Sequence, residues 1–262
     1  MPYAEAPEYL SAAWDAYQLL DSGHGRKLER FGSVTIVRDE PKAWWKPDDP
    51  SLWDRADAVL EESGRWKMKP RAPRSWTMEF RGVRMEARLT DGSKHLGVFP
   101  EQEPHWSWMM DKLATRPKAR VLNLFGYTGA ASLAAAKAGA LVTHVDASKP
   151  SIAWGRSNQE LSGMSEAPIR WVLEDAMKYV AREVRRGSRY DAVLMDPPSF
   201  GRGPKGEVWK VEEKLVELLS ECRKLLSGDA LMVIVTLYNL EASPLMIGNL
   251  MGEILSPLCG TL

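Results

Sequence analysis

Cysteine is nearly absent from this 262-residue sequence, which contains only Cys222 and Cys259. Two thiols make neither a disulfide framework nor a metal set, so the expectation is a reducing compartment and no metal centre. Long apolar runs are also missing, and none approaches the roughly 18 residues that a membrane span needs. The first twenty residues, Met1 to Leu20, are mildly acidic and lack the basic start and apolar block of a signal peptide. A cytoplasmic protein is expected. Net charge is absent too, because 35 lysines and arginines balance 35 aspartates and glutamates. The whole chain is therefore no polyelectrolyte partner of nucleic acid, and any such partner must be met by a local patch. No internal repeat or low-complexity tract interrupts the sequence.

What is present suffices for one large core, or one core plus a small accessory domain. Eight of the eleven tryptophans fall before residue 109, which marks two regions of different composition. In the first, Phe31 to Arg38, Ser75 to Phe80 and Val83 to Leu89 alternate like half-buried strands, and Phe80-Arg81-Gly82-Val83 reads as a hairpin turn. Asp54 to Glu62 reads as a short helix, and a linking helix is expected around Pro104 to Thr115. From Arg120 onward, strand-like and helix-like stretches alternate. Strands are expected at Arg120–Leu124, Leu141–Val145, Ile169–Leu173, Tyr190–Met195 and Ala230–Thr236. Helices are expected at Thr128–Lys137, Lys149–Leu161, Asp175–Arg186, Val211–Leu226 and Pro244–Leu255. This order predicts an α/β fold: a Rossmann-like parallel sheet with helices on both faces over residues 104–262, preceded by a small β-rich domain over 1–103. Ligands in such sheets sit at the carboxyl ends of the strands.

The strand ends carry ligand-type residues. Phe125-Gly126-Tyr127-Thr128-Gly129 follows the first strand and opens a helix, where glycines let a ligand approach the backbone and the helix start offers N–H groups. Asp146, followed by Ala147, ends the second strand about twenty residues on, where a carboxylate can accept ribose hydroxyls. Asp175, followed by Ala176, ends the third, within reach of an adenine amino group or else as a helix N-cap. The fourth runs into Asp196-Pro197-Pro198-Ser199-Phe200, whose prolines fix the chain and free carbonyl acceptors.

The blocks Val121 to Ala140, Thr143 to Leu161, Leu173 to Val180 and Tyr190 to Arg202, in this order and spacing, resemble class I S-adenosylmethionine-dependent methyltransferases. In particular they resemble the bacterial large-subunit ribosomal RNA methyltransferases that modify cytosine C5 or guanine N7. The likeness runs from about Gly92 to Thr236 and includes Lys94 to Gln102, which matches the group's lead-in against the cofactor. It implies that Phe125, Gly126, Tyr127, Thr128 and Gly129 line the methionine end of S-adenosylmethionine. Asp146 and Ala147 would take the ribose, Asp175 and Ala176 the adenine, and Asp196 the reaction mouth. Asn158 would support the second-strand loop. It also implies two more strands after the fifth, expected to lie outside this sequence, which stops at Leu262.

The cytosine-C5 enzymes attack their base with a cysteine, and no strand end here carries one. Direct in-line transfer is expected instead, with Asp196, Pro197 and Pro198 aiming an acceptor and Phe200 either stacking on an extruded base or packing in the core. From Gly64 to Lys94, nine cations (Arg65, Lys67, Lys69, Arg71, Arg74, Arg81, Arg84, Arg88, Lys94) face three carboxylates, with Trp66 and Trp76 interleaved. This pattern suits RNA as substrate, or a solvated strand face. The Gly-rich loop Gly201–Gly206 is expected to be flexible and able to close over substrate. Other readings are a methyltransferase for a small molecule or protein, a nicotinamide-dependent oxidoreductase, and a non-catalytic RNA-binding module.

Overall fold

The computed structural model describes residues 14–203, 205–238 and 240–256, so Cys259 lies outside the described residues. They fall into two units, one comprising 14–104 with Leu161–Gly163, the other His105–Glu160 and the chain from Met164 onward.

The first unit is made of hairpins. Strands β1 (Tyr17–Gly23), β2 (Arg26–Phe31) and β3 (Val34–Asp39) form an antiparallel meander. Helix α1 (Pro50–Trp53) then leads to β4 (Ala58–Leu60), parallel to β3, and β5 (Trp66–Met68), antiparallel to β4. A second hairpin, β6 (Ser75–Phe80) and β7 (Val83–Arg88), turns at Arg81 and Gly82 as the sequence predicts. Both turn residues have positive φ, which matches the twist of the strands they join. Phe31, Ile36, Leu60, Trp66, Met78 and Ala87 fill a core shared by the two sheets.

Two expectations fail in this unit. Phe31 to Arg38 is not one strand, because Gly32 at φ 60° turns the chain between β2 and β3. The short helix lies upstream of Asp54–Glu62: Asp49 caps it by accepting from Ser51 N, and Pro50 opens it. Ala58 to Leu60 is instead drawn into the sheet, where Ile36 pairs with Ala58.

The second unit holds α2 (Glu103–Ala114, which begins in the first), β8 (Arg120–Leu124), α3 (Ala130–Lys137), β9 (Leu141–Asp146), α4 (Lys149–Leu161), β10 (Ile169–Leu173), α5 (Ala176–Arg185) and β11 (Ala192–Met195). A small hairpin, β12 (Phe200–Arg202) and β13 (Val208–Lys210), precedes α6 (Val211–Leu225), β14 (Met232–Val235) and α7 (Pro244–Leu255). The five parallel strands lie in the order β10-β9-β8-β11-β14, so the winding reverses between β8 and β11. Leu122, Leu124 and Val145 pack with Tyr179 of α5 and Leu215, Leu218 and Leu219 of α6. Helix α3, an alanine-rich segment of high helix propensity, packs on β8, β9 and β10. The crevice where such folds bind ligands therefore opens over the ends of β8 and β11.

The first unit also buries charge. Glu29, fully buried, accepts two hydrogen bonds from the Arg38 guanidinium at 2.5 and 2.9 Å and one from the Tyr17 hydroxyl at 2.9 Å. Burial pushes the Glu29 carboxyl up, but the Arg38 bonds and charge outweigh it and hold it below its ordinary range. Replacing Arg38 would remove two of its hydrogen bonds and leave the buried carboxylate with only the Tyr17 hydroxyl and the Lys27 ammonium at 3.5 Å. Arg38→Ala is expected to cost about 3–5 kcal/mol in denaturant unfolding. A loss below about 1 kcal/mol, the worth of an exposed pair, would refute this account.

Candidate active site

One row of side chains crosses the middle of the sheet. Asn123 on β8 pairs in register with His144 on β9, and His144 with Trp171 on β10. Asn123 Nδ2 donates to Ser132 Oγ of α3 at 2.9 Å, and Ser132 Oγ lies 3.0 Å from His144 Nδ1. The His144 and Trp171 rings sit 4.4 Å apart, and Trp171 Nε1 donates to Gln159 Oε1 of α4 at 2.8 Å. This row is a floor of rings under the first strand-to-helix turn.

The turn lies on that floor with no room to spare. A Cβ on Gly126 would stand 2.4 Å from His144 Cε1. On Gly129 it would stand 2.7 Å from Trp171, and on Gly155 of α4 2.5 Å from the same ring. Contacts this short do not occur, so the three positions accept glycine alone. Phe125 and Tyr127 take left-handed angles of 55° and 51°, and Gly129 takes 86°. Such angles in non-glycine residues are costly and gather at ligand sites. Asn158 is buried beneath this turn, donating to the Thr128 carbonyl at 3.0 Å. Helix α3 starts at Gly129 with no side-chain cap.

Asp146, at the end of β9, ties the second loop to the first. Oδ2 accepts Tyr127 N at 2.8 Å, and Oδ1 accepts Ser148 N at 2.7 Å across Ala147. Burial raises the Asp146 pKa, opposed by the N–H groups of Ser148 and Tyr127. Asp175 is the N-cap of α5, its Oδ1 accepting Lys178 N at 3.0 Å, with Ala176 buried behind it. The cap that the sequence left open as an alternative is therefore formed.

Across the crevice, β11 delivers Asp196, Pro197 and Pro198, and the sequence missed the residue that organises them. Trp209 of β13 is buried, donates Nε1 to the Pro198 carbonyl at 2.7 Å, and packs on Phe125 at 4.8 Å. One indole thus joins the two loops at the point where the sheet reverses, taking one of the two lone pairs of the Pro198 carbonyl. A tryptophan just after a glycine-rich loop was the only signal. At the base of that loop, Phe200 to Arg202 pairs with Val208 to Lys210. Glu207 steadies its tip, accepting from Lys205 N at 2.8 Å and from Lys178. Phe200 is 53% exposed, which removes its core-packing reading.

Cys222 lies buried within α6 and burial pushes its thiol far up, away from a nucleophile's range. In the basic stretch, Arg74, Arg84 and Arg88 pair with Asp91, Glu79 and Glu86. Trp66 is buried, its Nε1 donating to the Thr90 and Ser93 carbonyls, and Trp76 packs on the same core. The tryptophans interleaved with these cations therefore belong to the core. Among the described residues no group of three metal-ligating side chains occurs, and no helix is long and apolar enough to cross a membrane.

The sequence profile of the S-adenosylmethionine-dependent methyltransferases matches residues 62–241. A SAM-dependent methyltransferase from Agrobacterium tumefaciens is 47% identical, with a TM-score of 0.89 over 94% of this chain and 80% of that one. A methyltransferase solved in complex with SAH has a TM-score of 0.72 at 21% identity over 94% of this chain and 67% of that one, a likeness that shows the fold alone. The ribosomal RNA large subunit methyltransferase K/L of Shewanella baltica is 42% identical over 110 residues, which are 41% of this chain and 15% of that protein. The chain thus spans a small fraction of the curated relatives it matches.

The floor has a pH signature. Burial pushes the His144 pKa from 6.5 down to about 3, so the folded protein keeps this ring neutral. The unfolded chain protonates it near pH 6.5. Its contribution to stability is then complete above about pH 6.5 and is lost as pH falls from there towards 3. Unfolding free energy measured across this window should fall less steeply for His144→Gln than for the wild type. Equal slopes would contradict the assignment.

Proposed function

The chain belongs to the S-adenosylmethionine-dependent methyltransferases, and from that premise we propose that it methylates a base of ribosomal RNA by direct in-line transfer, without a cysteine nucleophile. The family removes the nicotinamide reading and makes S-adenosylmethionine the cofactor. The observation that carries the rest is the exposed Phe200 ring beside Asp196-Pro197-Pro198, at the point where the sheet reverses.

The donor chemistry fits this cofactor. Asp146 carries a carboxylate whose two oxygens each accept one N–H and keep further lone pairs for ribose hydroxyls. The Phe125–Gly129 turn and the uncapped start of α3 suit the amino-acid end. Asp175 and Ala176 stand where an adenine would be held. When bound, S-adenosylmethionine supplies an electrophilic methyl group on a sulfonium sulfur. The protein's work is then alignment. Asp196 and the Pro197 carbonyl accept hydrogens from an exocyclic amine and aim its lone pair, or simply border a ring nitrogen that needs no base. Phe200 stacks on the flipped base. The exposed cations of the Gly64–Lys94 stretch suit phosphates, and the matched Shewanella relative is named for ribosomal RNA.

The test is transfer from radiolabelled S-adenosylmethionine to ribosomal RNA taken from cells that lack the protein. Label is expected in a base, and the double variant Cys222→Ala with Cys259→Ala should keep its single-turnover rate within about twofold, well short of the loss that removing a covalent nucleophile brings. A tenfold or larger drop in a folded variant would overturn the cysteine-free mechanism. Label entering only protein or small molecules would overturn the RNA substrate.

A further inference from the structure

Resting on the RNA reading, we propose that the amino end of the parallel sheet is a further RNA-binding surface, with a phosphate seat between Arg120 and Arg170. All five strands of that sheet begin at this end, and the helices that lead into them finish there. The proposed cofactor loops leave from the opposite end. Across 115–120, 137–141, 160–170, 183–191 and 221–231 the chain carries ten lysines and arginines and six carboxylates. Asp191 and Asp229 pair with Arg116, Glu183 with Arg186, and Glu221 with Lys224. Seven cations and two carboxylates, Glu160 and Glu166, remain without an ion pair among the described residues.

The helix dipole accounts for part of this charge. Lys137, Arg185 and Arg223 lie in the last turns of α3, α5 and α6, where cations stabilise a helix. It does not account for Lys118, Arg120, Arg170 and Arg189, which lie in loops and on strands and are all exposed. A protein partner ordinarily buries an aromatic or apolar anchor at the centre of its footprint. Among the described residues these segments expose no aromatic ring. A polyanion held by charge is the occupant that fits.

The strand register places a seat at the centre of the surface. Arg120 pairs with Leu141 and Arg170 with Thr143, on either side of β9. Leu141 and Thr143 are two residues apart, so all four side chains rise from one face of the sheet. The arginines stand two strand spacings apart, about 10 Å, and an anion above β9 can be reached from both sides. A cleft of about 400 Å³ opens there, lined also by Pro168, Ile169 and Tyr190, and no carboxylate lines it. That volume is within the usual range for ligand sites. The Arg120 guanidinium lies over the Tyr190 ring at 5.3 Å, and the Tyr190 hydroxyl donates to Glu183 Oε2 at 3.2 Å. One arm of the seat is thus held in place, with its fork of N–H donors suited to a phosphate.

The experiment measures binding of a fluorescent 20-nucleotide single-stranded RNA to the full chain over a series of salt concentrations. Arg120→Gln with Arg170→Gln should weaken binding about tenfold or more near 0.1 M salt and flatten the salt slope by about 1.4, the share of two phosphates on a single strand. Lys42→Gln with Lys46→Gln removes the same charge from exposed positions elsewhere and should change neither quantity appreciably. Calorimetric titration of S-adenosylhomocysteine should give the wild-type affinity for both double variants, since the proposed cofactor loops lie at the other end of the sheet. If the wild type binds RNA and the arginine variant binds it equally well with the same slope, the surface is refuted while the RNA reading stands. An equal loss in both double variants would also refute it, because overall charge alone would then explain the binding. If the wild type does not bind RNA, the RNA reading itself fails and the surface falls with it.

Discussion

The glycine turn after β8 rests directly on the rings of His144 and Trp171, and most of the second unit is arranged to permit that contact. Three glycines from two segments meet the rings at distances where no side chain fits. The turn keeps its left-handed angles at Phe125 and Tyr127 only because its surroundings over-determine them. Tyr127 N is held by Asp146, the Thr128 carbonyl by Asn158, and the Phe125 ring by Trp209. A turn fixed from below, from the second strand and from across the crevice, as the proposed cofactor loop is, is preorganised before any ligand arrives. His144 can serve in such a floor because its burial keeps it neutral, so no unpaired charge lies under the turn.

Trp209 extends the same arrangement across the crevice to the segment proposed to face the methyl acceptor. It links the Pro198 carbonyl to the Phe125 ring and so ties the Asp-Pro-Pro segment to the glycine turn. Methyl transfer in line requires donor and acceptor to be aligned within a fraction of an ångström, and this indole joins the two sides. The β12–β13 hairpin, paired and anchored by Glu207, presents Phe200 outward from a rigid base.

Much of this was legible in the sequence, and the limits have physical causes. The parallel sheet was readable because its strands are short, largely apolar runs, with the central β8 and β11 almost wholly buried, and several predicted bounds, such as Lys149–Leu161 and Ile169–Leu173, coincide with the observed ones. The placement of Asp146 and Asp196 at the ends of β9 and β11 was readable because the apolar runs stop there. The ring floor was not. It depends on Asn123, His144 and Trp171 falling in register across three strands, and a single sequence carries no register between parallel neighbours. In the first unit β1 and β2 escaped because charged residues interrupt any apolar alternation along them, and Glu29 of β2 is buried only by its pairing with Arg38 of β3. The tryptophans beside the cations read as binding surface and proved to be core, while the exposed pair at Trp44 and Trp45 drew no notice.

Gly126 carries the central claim, because its lack of a side chain lets the turn lie on His144. Calorimetric titration of S-adenosylhomocysteine into the wild type and into Gly126→Ala tests it most directly, with circular dichroism confirming the fold. A displaced turn should weaken binding by about five- to 150-fold, the equivalent of the roughly 1–3 kcal/mol typical of local backbone strain. Unchanged affinity in a folded Gly126→Ala protein would contradict the account.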